Sequence, residues 1–84
     1  MTIMQKPGRA AYRATPEVER QLSLGRTVSL TGGRYDVTAA RAGLSHYEAW
    51  TENPPFVYGR SAPTLQGALD SLERRYREEV ERGE

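Results

Sequence analysis

A chain of 84 residues has room for one domain with one modest core, burying roughly 60–65% of its unfolded surface. It has no Cys and a single His, which excludes disulfides, thiolate metal sites and structural zinc. The net charge of +1 hides an asymmetry: residues 1–45 carry seven basic against three acidic groups, and residues 64–84 four against six.

Residues 1–14, "MTIMQKPGRAAYRA", lack apolar periodicity and contain Pro7 and Gly8; they read as a flexible N-terminal arm ahead of a single domain over 15–84. They hold no apolar run of signal-peptide length, and no run of about 20 apolar residues occurs anywhere, so a cytoplasmic protein is expected. In "TPEVERQLSLG" Thr15 suits an N-cap, Pro16 the first helical position, and Glu17 and Glu19 the positive end of the helix dipole. Val18 and Leu22 share a face at i, i+4, and Gly25 closes this short helix.

"RTVSLTGGRYDVTAAR" alternates with period two on both sides of Gly32-Gly33. A two-residue type I′ turn there sets Leu30 opposite Tyr35 and Val28 opposite Val37, with Thr27, Ser29, Asp36 and Thr38 on the polar face. The "RTVSL" edge has no Lys or Pro to protect it and is expected to be open to pairing with a second chain. A third strand follows over 45–51, with Tyr47 and Ala49 pointing one way and His46, Glu48 and Trp50 the other. Asn53-Pro54-Pro55 breaks the ladder, and "FVYGRS" restarts it as a short last strand.

From Thr64 the period becomes helical. Leu65, Ala68, Leu69, Leu72, Tyr76 and Val80 form one stripe, Thr64 is the N-cap, and the helix reaches to about Arg82. Asp70–Arg74, Glu73–Arg77 and Glu78–Arg82 are acid-before-base pairs at i, i+4, placed on the solvated outer face. The fold class is therefore α+β: a three- or four-stranded antiparallel sheet, a long C-terminal helix packed on one face, and a short N-terminal helix. The opposite face of the sheet is left for a second chain, and a homodimer anchored by Trp50, Phe56 and Tyr58 is expected.

Candidates for chemistry are few. His46 is the one acid–base group near neutral pH, and Glu48 shares its strand face, but no nucleophile stands in a motif context beside them. Glu48 with Glu52 as a carboxylate pair has no better support. No catalytic residue, cofactor site or metal site is assigned, and no Gly-rich phosphate loop is present. Arg9, Arg13, Arg26, Arg34 and Arg41 make the N-terminal half a possible nucleic-acid surface, on which Trp50, Phe56 and Tyr58 would stack bases. The order helix, strands, helix also resembles a double-stranded-RNA-binding domain; "APTLQGALDSL", however, holds no base where that family carries its lysine cluster.

The run "RYDVTAARAGLSHYEAWTENPPFVYGRSAPTLQGALDSLERRY", Arg34 to Tyr76, resembles the HicB-like antitoxin domain. "HYEAW" matches that family's second strand, "ENPPF" its proline-containing turn, "VYGRS" its third strand and "TLQGALDSL" its helix start. Asn53-Pro54-Pro55 stands where the family has Asp-Leu-Pro-Gly. The resemblance implies a non-enzymatic module that binds and blocks a small toxin ribonuclease. Three functions remain open from the sequence: a protein-binding module of this kind, a nucleic-acid-binding module using the basic half, and a small enzyme centred on His46 and Glu48.

Overall fold

The computed structural model describes residues 2–4 and 12–81. Four strands, β1 (Thr2–Met4), β2 (Val28–Thr31), β3 (Val37–Ala42) and β4 (His46–Thr51), lie in the order β1-β2-β3-β4. Helix α1 covers Pro16–Ser23, and α2 covers Leu65–Tyr76 and continues as a π-helical turn over Arg77–Glu81. The fold is α+β, with the sheet as one layer and both helices as the other.

Each helix starts as its local chemistry dictates. The Thr15 hydroxyl accepts from the Val18 amide at 3.3 Å with Pro16 opening α1, and the Thr64 hydroxyl accepts from the Gly67 amide at 3.0 Å. The buried stripes are Val18 and Leu22 on α1 and Leu65, Ala68, Leu69 and Leu72 on α2. They meet Val28, Leu30, Val37, Ala39 and Ala49 in one cluster, and Tyr76 and Val80 lie half-buried at its margin. In β4 the alternation is as read from the sequence, and the structure adds which set faces inward: Ala49 enters this core, while His46, Glu48 and Trp50 point away.

Three expectations about the sheet need correction. The arm over 1–14 is, in its described residues, part of the domain. Thr2–Met4 pairs in parallel with Ser29–Thr31, so the sheet is mixed rather than antiparallel, and the β2 edge is closed by the chain itself. Tyr12 is buried in the core, and Gln66 holds the chain beside it, its carbonyl oxygen accepting from the Ala14 amide at 2.9 Å.

The β2–β3 register is also displaced by two residues. Leu30 faces Val37 and Val28 faces Ala39, so the connection is longer than the two-glycine turn. Only Gly32 has positive φ (102°), whereas a type I′ turn needs it at both positions. The reason is Tyr12. Its hydroxyl donates to the Tyr35 carbonyl and accepts from the Gly33 amide at 2.9 Å, holding the loop open. A Cβ on Gly33 would come within 2.9 Å of the Tyr12 ring and hydroxyl, so a larger residue there would have to push this plug aside. A shift of two preserves the alternation, which is why the apolar set still reaches the core.

Finally, "FVYGRS" is not a regular strand. It is a strap along β4, tied by bridges Trp50–Tyr58 and Tyr47–Ala62 with an offset between them. The strap also reaches the helix layer. The Arg60 amide donates to the Ser71 hydroxyl at 2.8 Å, and a Cβ on Gly59 would lie 2.8 Å from the Leu72 backbone nitrogen.

Leu69→Ala is expected to cost roughly 2–5 kcal/mol, read as a shift in the urea midpoint, against little change for the exposed Glu78→Ala. Gly59→Ala should also destabilise, because helix backbone rather than a flexible side chain blocks the added methyl. Midpoints equal to the Glu78→Ala control would refute both placements.

Candidate functional site

The helices cover one face of the sheet, and no described element covers the other. Alternation places Ser29 and Thr31 of β2, Thr38, Ala40 and Ala42 of β3, and His46, Glu48 and Trp50 of β4 on this open face. Across β2, β3 and β4 the residues at its centre are therefore small, and the large side chains of these strands gather at the β4 margin.

There the strap brings Tyr58 against Trp50. The rings stack with centroids 5.8 Å apart and planes 24° from parallel. Val57 turns inward and is 4% exposed, which leaves its neighbours Phe56 and Tyr58 outside at 67% and 65%. The strap's position is set by backbone bonds: the Thr51 amide donates to the Val57 carbonyl at 3.0 Å, and the Gly59 amide to that of Ala49 at 2.9 Å. Thr51 also receives the Val57 amide on its hydroxyl at 2.8 Å. Trp50 and Tyr58, singled out in the sequence as anchors, are thus stacked at one margin of this face, and Phe56, singled out with them, is exposed two residues earlier on the strap.

Two carboxylates flank Trp50. Glu48 accepts from the Ser61 hydroxyl at 3.3 Å, and Glu52 accepts from the Thr38 hydroxyl. His46 is exposed at the start of β4, its Nδ1 lying 3.4 Å from the Ser45 hydroxyl. No contact joins His46 to Glu48 in a nucleophile–base arrangement among the described residues, and no three potential metal-ligating groups converge there.

Among the described residues, the arginines named in the sequence do not form one surface. Arg9 lies outside the described residues. Arg13 is exposed ahead of α1. Arg26 donates to the Gln21 side chain at 2.9 Å, and Arg41 donates to the Leu44 carbonyl at 2.6 Å while its Nε is buried without a hydrogen-bond partner. The β2–β3 register puts Arg26 and Arg41 at one end of the hairpin and Arg34 in the loop at the other.

Arg34 has a structural task that the sequence did not reveal. It donates to both oxygens of Glu73 at 2.6 Å, the Tyr35 hydroxyl donates to the same carboxylate at 3.1 Å, and Arg77 lies 3.4 Å from it. Glu73 is 8% exposed, not on the solvated outer face, and it ties the β2–β3 loop to α2. The signal was available: Glu73 stands four residues after Leu69 and three before Tyr76, at the border of the apolar stripe. Tyr35 stacks on Tyr76 at 4.3 Å and meets Tyr12 edge-on at 5.9 Å. A recess of about 210 Å³ beside this cluster is lined by Gly33, Tyr35, Asp36, Asn53 and Tyr76 among others.

Burial first, then the Glu73 charge and its hydrogen bond, hold the Tyr35 phenol well above the ordinary 10.0. Tyr12 is raised as well, chiefly by burial, with the Gly33 amide opposing and Asp36 adding to the rise.

Compared with protein-family models, curated proteins and solved structures, the chain matches none. Among the described residues no helix is long and apolar enough to cross a membrane.

Replacing Glu73 by Gln, which leaves Arg34 beside an uncharged partner, should cost about 2 kcal/mol. A phenol whose folded-state pKa is raised gives stability that is complete below the unfolded value of 10.0 and is lost as pH rises above it. Urea midpoints taken from about pH 9 to about pH 11 should therefore fall more steeply for the parent than for Tyr35→Phe. Parallel curves would mean that neither burial nor Glu73 opposes ionisation of the Tyr35 phenol.

Proposed function

We propose that this domain is a non-enzymatic protein-binding module that docks its partner on the open face of the sheet. The observation that carries the reading is the stacked Trp50–Tyr58 pair beside an exposed Phe56, on a face no described element covers. Aromatic side chains held by their own neighbours lose little freedom on binding, and a rigid pair at a flat face is what an interface uses as an anchor. An inhibitor that occupies a toxin ribonuclease, implied by the resemblance over Arg34 to Tyr76, is one form of such a module. The nucleic-acid reading draws less support: Arg34 is engaged by Glu73, and the aromatic margin that would stack bases carries Glu48 and Glu52.

The test is affinity capture from the native cell with nuclease treatment, comparing the parent chain with a Phe56→Ala/Tyr58→Ala variant. Both side chains are exposed, so the variant should stay folded, which its urea midpoint checks. A protein held by the parent and lost by the variant supports the reading. Equal retention would remove the open face as the docking surface, and a partner lost to nuclease would point to nucleic acid.

A further inference from the structure

We propose that the occupant of the open face is an arginine- or lysine-bearing protein segment, with a cationic side chain set over Trp50 between Glu48 and Glu52. The inference rests on the docking reading above and adds the chemistry of the partner. Glu48, Trp50 and Glu52 stand at i, i+2 and i+4 along β4, so all three project to the same side, roughly 6–7 Å apart in sequence. The Thr38 hydroxyl on Glu52 confirms that side for the residue just past the strand end.

Arginine reaches Glu73, from Arg34 and Arg77, and Glu79, from Arg75 at 3.2 Å, whereas no ion pair among the described residues involves Glu48 or Glu52. Among the described residues Glu48 and Glu52 meet only the hydroxyls of Ser61 and Thr38. A hydroxyl orients a carboxylate and leaves its charge uncompensated. Between the two lies an indole whose electron-rich face attracts a cation, so charge and quadrupole act in the same direction at one point.

The rest of the face agrees. Its positions on β2, β3 and β4 hold no Lys or Arg, so an incoming cation meets no like charge there. Ser29, Thr31, Ala40 and Ala42, all partly exposed, raise no bulk against a close backbone approach, and Thr38 lies buried beside Trp50. A second copy laid face to face would offer these carboxylates His46 but no Lys or Arg from β2, β3 or β4, and a phosphate backbone would be repelled by them. Charge therefore favours a basic protein segment over the homodimer and over nucleic acid.

Trp50 is the chain's single tryptophan, so its fluorescence reports this site alone. The probe is a peptide of about twelve residues alternating arginine with serine, titrated at low salt to millimolar concentration into the full chain. Two controls run beside it: the same peptide with glutamate for arginine, and an oligouridine. The arginine peptide should change Trp50 emission, and Glu48→Gln/Glu52→Gln should weaken it by about fivefold or more. A Glu78→Gln/Glu79→Gln variant, with the same change in net charge on the helix side, should bind as the parent does.

No response to the arginine peptide, or equal weakening in both double variants, overturns the proposal. So does a preference for the glutamate peptide or the oligouridine, or a sedimenting dimer that shields Trp50 from the peptide. A neutral or acidic protein captured through Phe56 and Tyr58 would refute the charge inference while leaving the docking face in place. Failure of the Phe56→Ala/Tyr58→Ala test would refute the docking face itself.

Discussion

Both helices close their apolar stripes against the same face of the sheet, and every other property of the domain follows from that choice. Val18 and Leu22 of α1 and Leu65, Leu69 and Leu72 of α2 leave water only because Val28, Leu30, Val37, Ala39 and Ala49 offer them one continuous surface. A chain of this size has no further helix among its described residues with which to cover a second face. Its small residues there, Ala40 and Ala42 above all, are compatible with partial exposure, whereas Trp50 and Tyr58 limit theirs by stacking on one another.

Much of this architecture was legible because it rests on short-range rules. The caps at Thr15 and Thr64, the stripe on α2 and the alternation of β2, β3 and β4 are all written within a few residues of where they act. What escaped was set by partners far along the chain. The β2–β3 loop departs from a two-glycine turn because of Tyr12, 21 residues before Gly33. Glu73 leaves the solvated face because of Arg34, 39 residues earlier. β1 is three residues long and pairs in parallel, so neither its length nor its neighbours carry an alternation signal.

The candidate site divides along the same line. Its residues could be named from the sequence, since strand parity alone puts Glu48 and Trp50 on one face and away from Ala49. Their meaning could not, because it depends on which acids the arginines reach. Only the fold distinguishes Glu73, gripped by two guanidinium groups, from Glu48 and Glu52, which meet hydroxyls. The strap had the opposite fate. Its aromatics were recognised, but its regularity was overestimated: the bridges at Tyr58 and Ala62 are out of step, and between them Gly59 lies against the backbone of α2.

That contact makes the two layers mechanically continuous. Tyr58 stands on the outer side of the sheet, and the next residue in the chain touches the backbone of Leu72 on the inner side. The peptide link between them is shorter than any path through the core. A molecule that displaces Tyr58 therefore pushes on the middle of α2, and a change in the seating of α2 moves half of the aromatic pair. Under the docking proposal, recognition at the surface and cohesion of the interior would be joined through the single peptide link between Tyr58 and Gly59.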